Sequence, residues 1–255
     1  DGRNTDYPTF ISLLQREGYQ TATAIQWADI FFILEEGSFD FSIGGDQQTV
    51  TDWTVNRIRS GETDDIYFVH LDDVDHAGHG YGFNADNSHY SEAVENADGN
   101  IAEIFDAILD SPNIANEEWL IIITSDHGGD TNGSHGSMSE DYRQIPLIIA
   151  GPVMAKGELS QGLGTHMDPH PTVLDFFDLA VPEYTNGVSW LNPPELDCED
   201  GEDNDEDGDI DCADTDCSEI ESCIEQDCDD GLDDDGDGEV DCDDSDCRNY
   251  LGCGQ

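Results

Sequence analysis

Over the first 190 residues, apolar positions come in two arrangements that alternate along the chain: short unbroken runs, and longer stretches with a beat of three and four residues. "TATAI" at 21–25, "DIYFVHL" around 66–70, "EWLIIIT" ending at Thr124 and "QIPLIIAGP" are runs. They are too short, and too rich in β-branched and aromatic residues, for buried helices, so they predict strands. Between them, "YPTFISLLQREGY" sets Pro8 at a helix-opening position and Gly18 as a stop. "TVTDWTVNRIRSG" predicts the next helix. Tyr90, Ala93, Val94, Ala97, Ile101, Ile104, Phe105 and Ile108 then mark one face of a long amphipathic helix. "HPTVLDFFDL", with Pro171 near its start, closes the series as a helix. Strands apolar along their whole length, alternating with helices, predict an α/β fold: a mainly parallel sheet sandwiched by helices. Chemistry in such sheets gathers at the carboxyl ends of the strands.

The pattern stops at "VPEYTNGVSWLNPPEL", whose three prolines read as an exit from the core. All eight cysteines follow, from Cys198 to Cys253, among crowded acids and few large apolar side chains. The expected organisation is a core over residues 1–190, a linker over 191–196, and two Cys- and Asp-rich repeats over 197–226 and 227–255. No run of 18 apolar residues exists to span a bilayer. The chain opens on Asp1 with no basic, then apolar, leader, so any export signal is expected to have been removed, or the chain to be a fragment.

Charge narrows the partners. Sixty-one acids against 7 basic residues give a formal net charge of −54. A nucleic acid or an anionic membrane would be repelled, and divalent cations attracted.

The candidate chemistry lies at the expected strand ends. "IYFVH" runs into "LDDVDHAGH", where Asp75 and His79 stand four apart, a spacing that brings them to one face of a helical turn. "LIIIT" runs into "SDHGG", with Asp126 and His127 adjacent, and "NGSHG" carries His135 among small neighbours. Carboxylate and imidazole without thiolate suit zinc in a catalytic site, or manganese or iron. Five such residues would support a pair of ions. His70, Asp72, Asp73 and His76 are expected to be solvated or to support the ligands.

"DDVDHAGHGYG", "IIITSDHGG", "GSHG" followed by "IPLIIAGP", and "MDPHPTVLDFF" together resemble the alkaline phosphatase superfamily over roughly residues 1–190. The branch most similar is that of the type I phosphodiesterases and nucleotide pyrophosphatases. The resemblance implies that Asp75, His79 and His135 hold one zinc, and that Asp126 and His127 form part of a second site. It implies a phosphate ester substrate, an in-line attack by a metal-activated Ser or Thr, and hydrolysis of the phospho-enzyme by metal-bound hydroxide. In that family the nucleophile and one further Asp ligand precede the stretch resembling "YPTFISLLQREGYQTA". The expectation is therefore that this chain lacks the first strand, the nucleophile and one ligand, and exposes a sheet edge that another segment or chain would cover.

The tail is duplicated at a period of thirty residues. Cys198, Cys212, Cys217 and Cys223 return as Cys228, Cys242, Cys247 and Cys253. Each copy holds D-x-D-x-D-G-x-[IV]-D-x-x-D, the oxygen positions of a twelve-residue calcium loop. The first loop would use Asp203, Asp205, Asp207, the backbone of Asp209, Asp211 and Asp214. The second would use Asp233, Asp235, Asp237, the backbone of Glu239, Asp241 and Asp244. These loops resemble the calcium-binding repeats of dockerin and thrombospondin type 3 modules. So short a segment, with so few apolar groups, must be held by disulfides and by about two Ca2+ ions, an economy of proteins outside the cytoplasm. Zinc is the other use of such thiols. Two functions fit: a secreted, metal-dependent phosphoric ester hydrolase with a calcium-binding tail, or a non-catalytic, calcium-dependent extracellular structural or self-assembling protein on a phosphatase-like body.

Overall fold

The computed structural model describes the chain apart from residues 1–6, 35–36, 63, 137–139, 153–163, 192–194, 196–197, 202–208, 218–219, 226, 234, 237, 245–246, 248–251 and 254–255, and the side chains of residues 140, 141, 215 and 221. It separates into two compact units, Asp1–Ser189 and Trp190–Gln255.

The first unit begins with α1 (Phe10–Arg16), whose cap Thr9 accepts a hydrogen bond from the Ser12 amide at 3.3 Å. β1 (Thr21–Ile25) follows and is buried at every position. The reason is its place in the middle of a parallel sheet, between β2 (Phe41–Gly44) and β3 (Ile66–His70). Ile25 pairs with both Gly44 and His70, so the three strands end together. One turn of helix, α2 (Ile30–Ile33), links β1 to β2, and α3 (Gln47–Ser60) returns the chain to β3. Arg57 of α3 donates to both carboxylate oxygens of Asp64 at 2.7 Å, which fixes the entry to β3.

Alternation along β3 distributes the core. Ile66 packs with Leu14 of α1 and Leu174 of α7 (Pro169–Phe176). Its neighbour Tyr67 packs with Val55 and Ile58 of α3 and Ala107 and Ile108 of α5 (Ser88–Leu109). The parallel sheet is thus flanked by helices, as the alternation of runs predicts. Before α5 lies α4 (Asp73–Tyr81), and after it β4 (Ile121–Thr124), the single turn α6 (Glu140–Arg143) and β5 (Leu147–Ala150).

β4 and β5 correct part of the expectation. They pair antiparallel, Ile121 with Ala150 and Thr124 with Leu147, in a two-stranded sheet of their own. A parallel return needs a crossover that carries the chain back along the strand, usually on a helix. Here the connection holds α6 alone as described helix, so the chain re-enters from the end it left. Both strands are only partly buried, and Ile148 is 54% exposed. β2 escapes the apolar pattern because three of its four residues are exposed.

The second unit contains four short 3-10 turns among its described residues. Cys198–Cys217 and Cys212–Cys223 in the first copy recur as Cys228–Cys247 and Cys242–Cys253, so both copies pair alike. No cysteine is free, which removes zinc thiolate as a use for them. Cys198, Cys217 and Cys223 are buried on one another and supply the core that leucine and isoleucine would otherwise form.

Leu174→Ala, at a site with 0% exposure between α1, α7 and β3, is expected to cost about 3 kcal/mol of stability. Chemical denaturation checks this, and a loss below about 1 kcal/mol would show that the packing is not as described.

Candidate metal centre

The site grows from the abrupt passage of β3 into α4. Gln26, just past β1, fixes that passage: its Oε1 accepts from the Asp72 amide at 2.6 Å and its Nε2 donates to Asp73 Oδ1 at 2.5 Å. Asp75 and His79 then lie one turn apart on α4, with His79 Nε2 3.4 Å from Asp75 Oδ2. His79 Nδ1 lies 2.8 Å from the Gly133 carbonyl oxygen. A carbonyl can only accept, so the proton sits on Nδ1 and the Nε2 lone pair faces the cluster. The same holds for His127, whose Nδ1 donates to the Gly128 carbonyl at 2.9 Å.

Two further imidazole contacts complete the group. His135 Nε2 is 3.1 Å from His79 Nε2, and the His127 and His135 rings stack with centroids 3.8 Å apart. Asp75 Oδ1 stands 3.9 Å from His127 Nε2 and 3.8 Å from His135 Nε2. That oxygen is buried and has no hydrogen-bond partner. A metal ion with bonds of about 2.1 Å in tetrahedral array separates neighbouring ligand atoms by roughly 3.4 Å. Asp75, His127 and His135 each offer a ligand atom within 4.8 Å of the others, a set that fits a single divalent ion of the zinc or manganese class, and His79 stands beside it against Asp75 and His135. Among the described residues no Lys or Arg is paired with Asp75.

Asp126 lies differently. Its side chain is 75% exposed, and its nearest partner in the group is His127, at 3.7 Å. The residues singled out by spacing therefore divide as one tight set, Asp75, His127 and His135, with His79 joined to it through Asp75 and His135 and Asp126 at its rim. His76 pairs with Asp72 at 3.1 Å with its side chain 70% exposed, and His70 ends β3; neither joins the set.

Sequence reasoning missed the residues that aim these ligands. Asp130 accepts from the Asn132 and Ser134 amides at 2.9 and 3.0 Å and from the Tyr142 hydroxyl at 2.6 Å. These bonds close the loop that delivers His135. The Tyr142 hydroxyl above all, and then the Ser134 amide, hold the Asp130 carboxyl below its ordinary range. Because that value is depressed, the carboxylate's contribution to loop order is present at neutral pH and lost only as pH falls through the lowered value. "DTNGS" carried a turn signal but no hint of the partner twelve residues on. Gly133 has φ +78°, and a Cβ there would meet the Gly78 and His79 carbonyl oxygens at 2.9 Å. Phe83 lies beneath the imidazoles, with centroids 5.9, 6.5 and 6.2 Å from His79, His127 and His135. Only glycine at 78 and 129 leaves room for it, since a Cβ at either would come within 2.3 Å of its ring. Burial, and after it the Asp75 charge, raises the Tyr90 phenol above its ordinary value.

Of the expected calcium ligands, Asp203, Asp205, Asp207 and Asp237 lie outside the described residues. Asp209, Asp233 and Glu239 are exposed, Asp211 and Asp241 partly buried, and Asp214, Asp235 and Asp244 buried. Asp211 and Asp241, at position 9 of each loop, both have φ +52° and accept from Gly201 and Gly231 amides at 3.1 and 3.0 Å. Position 9 thus holds the same turn in both copies.

A protein-family model described as the Metalloenzyme superfamily matches residues 35–181, a span that contains all five candidate ligands of the first unit. The chain is 26% identical over 186 residues to the phosphopentomutase of Clostridium botulinum (strain Alaska E43 / Type E3), covering 72% of this chain and 42% of that protein. It is 28% identical over 187 residues to the phosphopentomutase of Caldanaerobacter subterraneus subsp. tengcongensis, with the same coverage. The chain therefore spans less than half the length of these curated relatives.

His79→Ala removes the imidazole that stands against Asp75 and His135 and is expected to lower affinity for zinc or manganese by at least the 10–100-fold typical of losing an outer partner. Metal analysis after dialysis checks this; unchanged metal content would refute the assignment.

Proposed function

We propose, for a chain that belongs to the Metalloenzyme superfamily, that its first unit is the metal-binding part of a phosphoric ester hydrolase or phosphoryl-transfer enzyme, and that its second is a calcium-binding module of a secreted protein. The carrying observation is the convergence of Asp75, His127 and His135 on one point, with His79 against Asp75 and His135 and with Asp75 Oδ1 buried without a hydrogen-bond partner there. The name of the relatives, phosphopentomutase, supports a phosphate ester as the class of substrate.

In this reading Asp75, His79, His127 and His135 hold the ion, which when bound polarises a phosphoryl oxygen and makes bound water acidic. The chain's own residues prepare that place. The Gly133 and Gly128 carbonyls set the tautomers of His79 and His127, and Asp130 with Tyr142 holds the His135 loop closed. Phe83 closes the underside against water. Asp126, exposed beside His127, is free to serve a second ion. The nucleophile is assigned to no residue in the sequence.

Four disulfides support an oxidising compartment, and the repeated oxygen pattern supports calcium. With its small buried core, the second unit then depends on the ion for order.

The native protein, loaded with zinc or manganese, is expected to hydrolyse p-nitrophenyl phosphate or bis(p-nitrophenyl) phosphate, and Asp75→Asn to lower that rate at least about 100-fold. Metal binding without turnover of either ester would favour the non-catalytic body. Removing calcium with a chelator is expected to open residues 190–255 to protease; a digestion pattern indifferent to chelator would refute the calcium module.

A further inference from the structure

Each loop of the tail has a glutamate eight positions ahead of it: Glu195, in the linker, before Asp203, and Glu225, at the end of the first copy, before Asp233. We infer that these two glutamates are calcium ligands from outside the twelve-residue loops, each closing the site of the loop that follows it. The inference rests on the calcium reading of the second unit and specifies how the ion is held.

The second copy shows the arrangement most fully. Glu225, Asp235 and Asp244 are 6%, 8% and 2% exposed, and each offers an oxygen within 4.8 Å of the others. Three carboxylates held together out of water repel one another unless a cation answers them. From residue 190 onward the sequence has a single basic side chain, Arg248, and no histidine. The first copy thus has no basic side chain of its own, and the second has Arg248 alone. An all-oxygen set of this span matches calcium, which takes 6–8 oxygens at 2.3–2.6 Å.

The first copy supplies independent support. Glu195, 6% exposed, has an oxygen within 4.8 Å of oxygens of Asp200 and Asp211. Asp214, the counterpart of Asp244, is 2% exposed, and its Oδ2 is buried with no hydrogen-bond partner. A carboxylate oxygen withdrawn from water without a donor is costly unless a cation meets it. It occupies the position that in the second copy faces Glu225 and Asp235.

The loops themselves explain why an outside ligand is needed. An ordinary loop of this kind closes with a bidentate Glu at position 12. Here that position is Asp214 or Asp244, shorter by one methylene. Position 9 offers less as well, because Oδ1 of Asp211 and of Asp241 is engaged by a glycine amide. Glu225 has the reach to fill the gap, and its Oε1 is steadied by the Asp241 amide at 3.3 Å.

Calcium titration of the full chain by calorimetry tests this, with disulfide mapping to confirm that each variant has folded. The wild type is expected to bind two calcium ions in the tail. Glu225→Gln, which keeps the size and the acceptor for the Asp241 amide but loses the charge, is expected to weaken one site at least about tenfold and leave the other unchanged. Glu195→Gln is expected to do the reverse. Glu225→Asp keeps the charge and shortens the reach, and is expected to weaken the same site. Asp243→Asn, which removes an exposed charge next to the site, is expected to change affinity less than about twofold. If the wild type binds calcium and both glutamine variants bind it equally well, the inference is overturned while the calcium reading stands. If the wild-type tail binds none, both fall together.

Discussion

At the ends of β3 and β4, the Asp75 carboxylate stands 3.4–3.9 Å from ring nitrogens of His79, His127 and His135, and His135 stands 3.1 Å from His79, with no lysine or arginine in the group. In the second unit, carboxylate oxygens gather within 4.8 Å where arginine and lysine are nearly absent. Acceptors that converge in this way are stable only if a cation is shared among them. In the function proposed for it, the protein meets this constraint twice, with two chemistries. Imidazole and carboxylate together select a transition-type ion, and carboxylate alone selects a hard one.

The first unit brings its ligands together by ordinary means. β1 aligns the ends of β2 and β3, and α4 begins at once, so that a four-residue spacing becomes a shared face. The antiparallel return through β5 leaves the residues between β4 and β5 at the same end of their sheet, where the His135 loop folds back over α4. The close contact of that loop with α4 explains the glycines at 78, 129 and 133: each lies where a Cβ would strike either Phe83 or the backbone of α4. Among its described residues the second unit has no strand or α-helix to serve as such a framework. Its cysteines form the core, and the position-9 aspartates, held at φ +52°, set the turns in both copies.

Much of this organisation was legible in the sequence, because it rests on local regularities. A five-residue apolar run such as "IYFVH" must be buried, and a four-residue interval on a helix must share a face. A thirty-residue repeat must fold twice in the same way, and the disulfides of the two copies do pair alike. β2 was illegible for the same reason: "FSIG" is exposed at three of four positions and carries no hydrophobic signal. The direction of β5 was hidden too, since strand composition does not record orientation.

The sequence by itself determined the residue types available for chemistry, the strands that would carry them and the duplicated tail. Tertiary structure alone decided which of those residues meet. His127 joined Asp75 while its neighbour Asp126 stayed at the rim, and Gln26 reached a helix 46 residues away. Asp130 found Tyr142, and the glutamates ahead of the loops turned in toward aspartates of the copies that follow them. Periodicity reports only which face of its own element a side chain occupies. Contacts between elements depend on how the chain returns through space, and that is fixed by the joint packing of all of them.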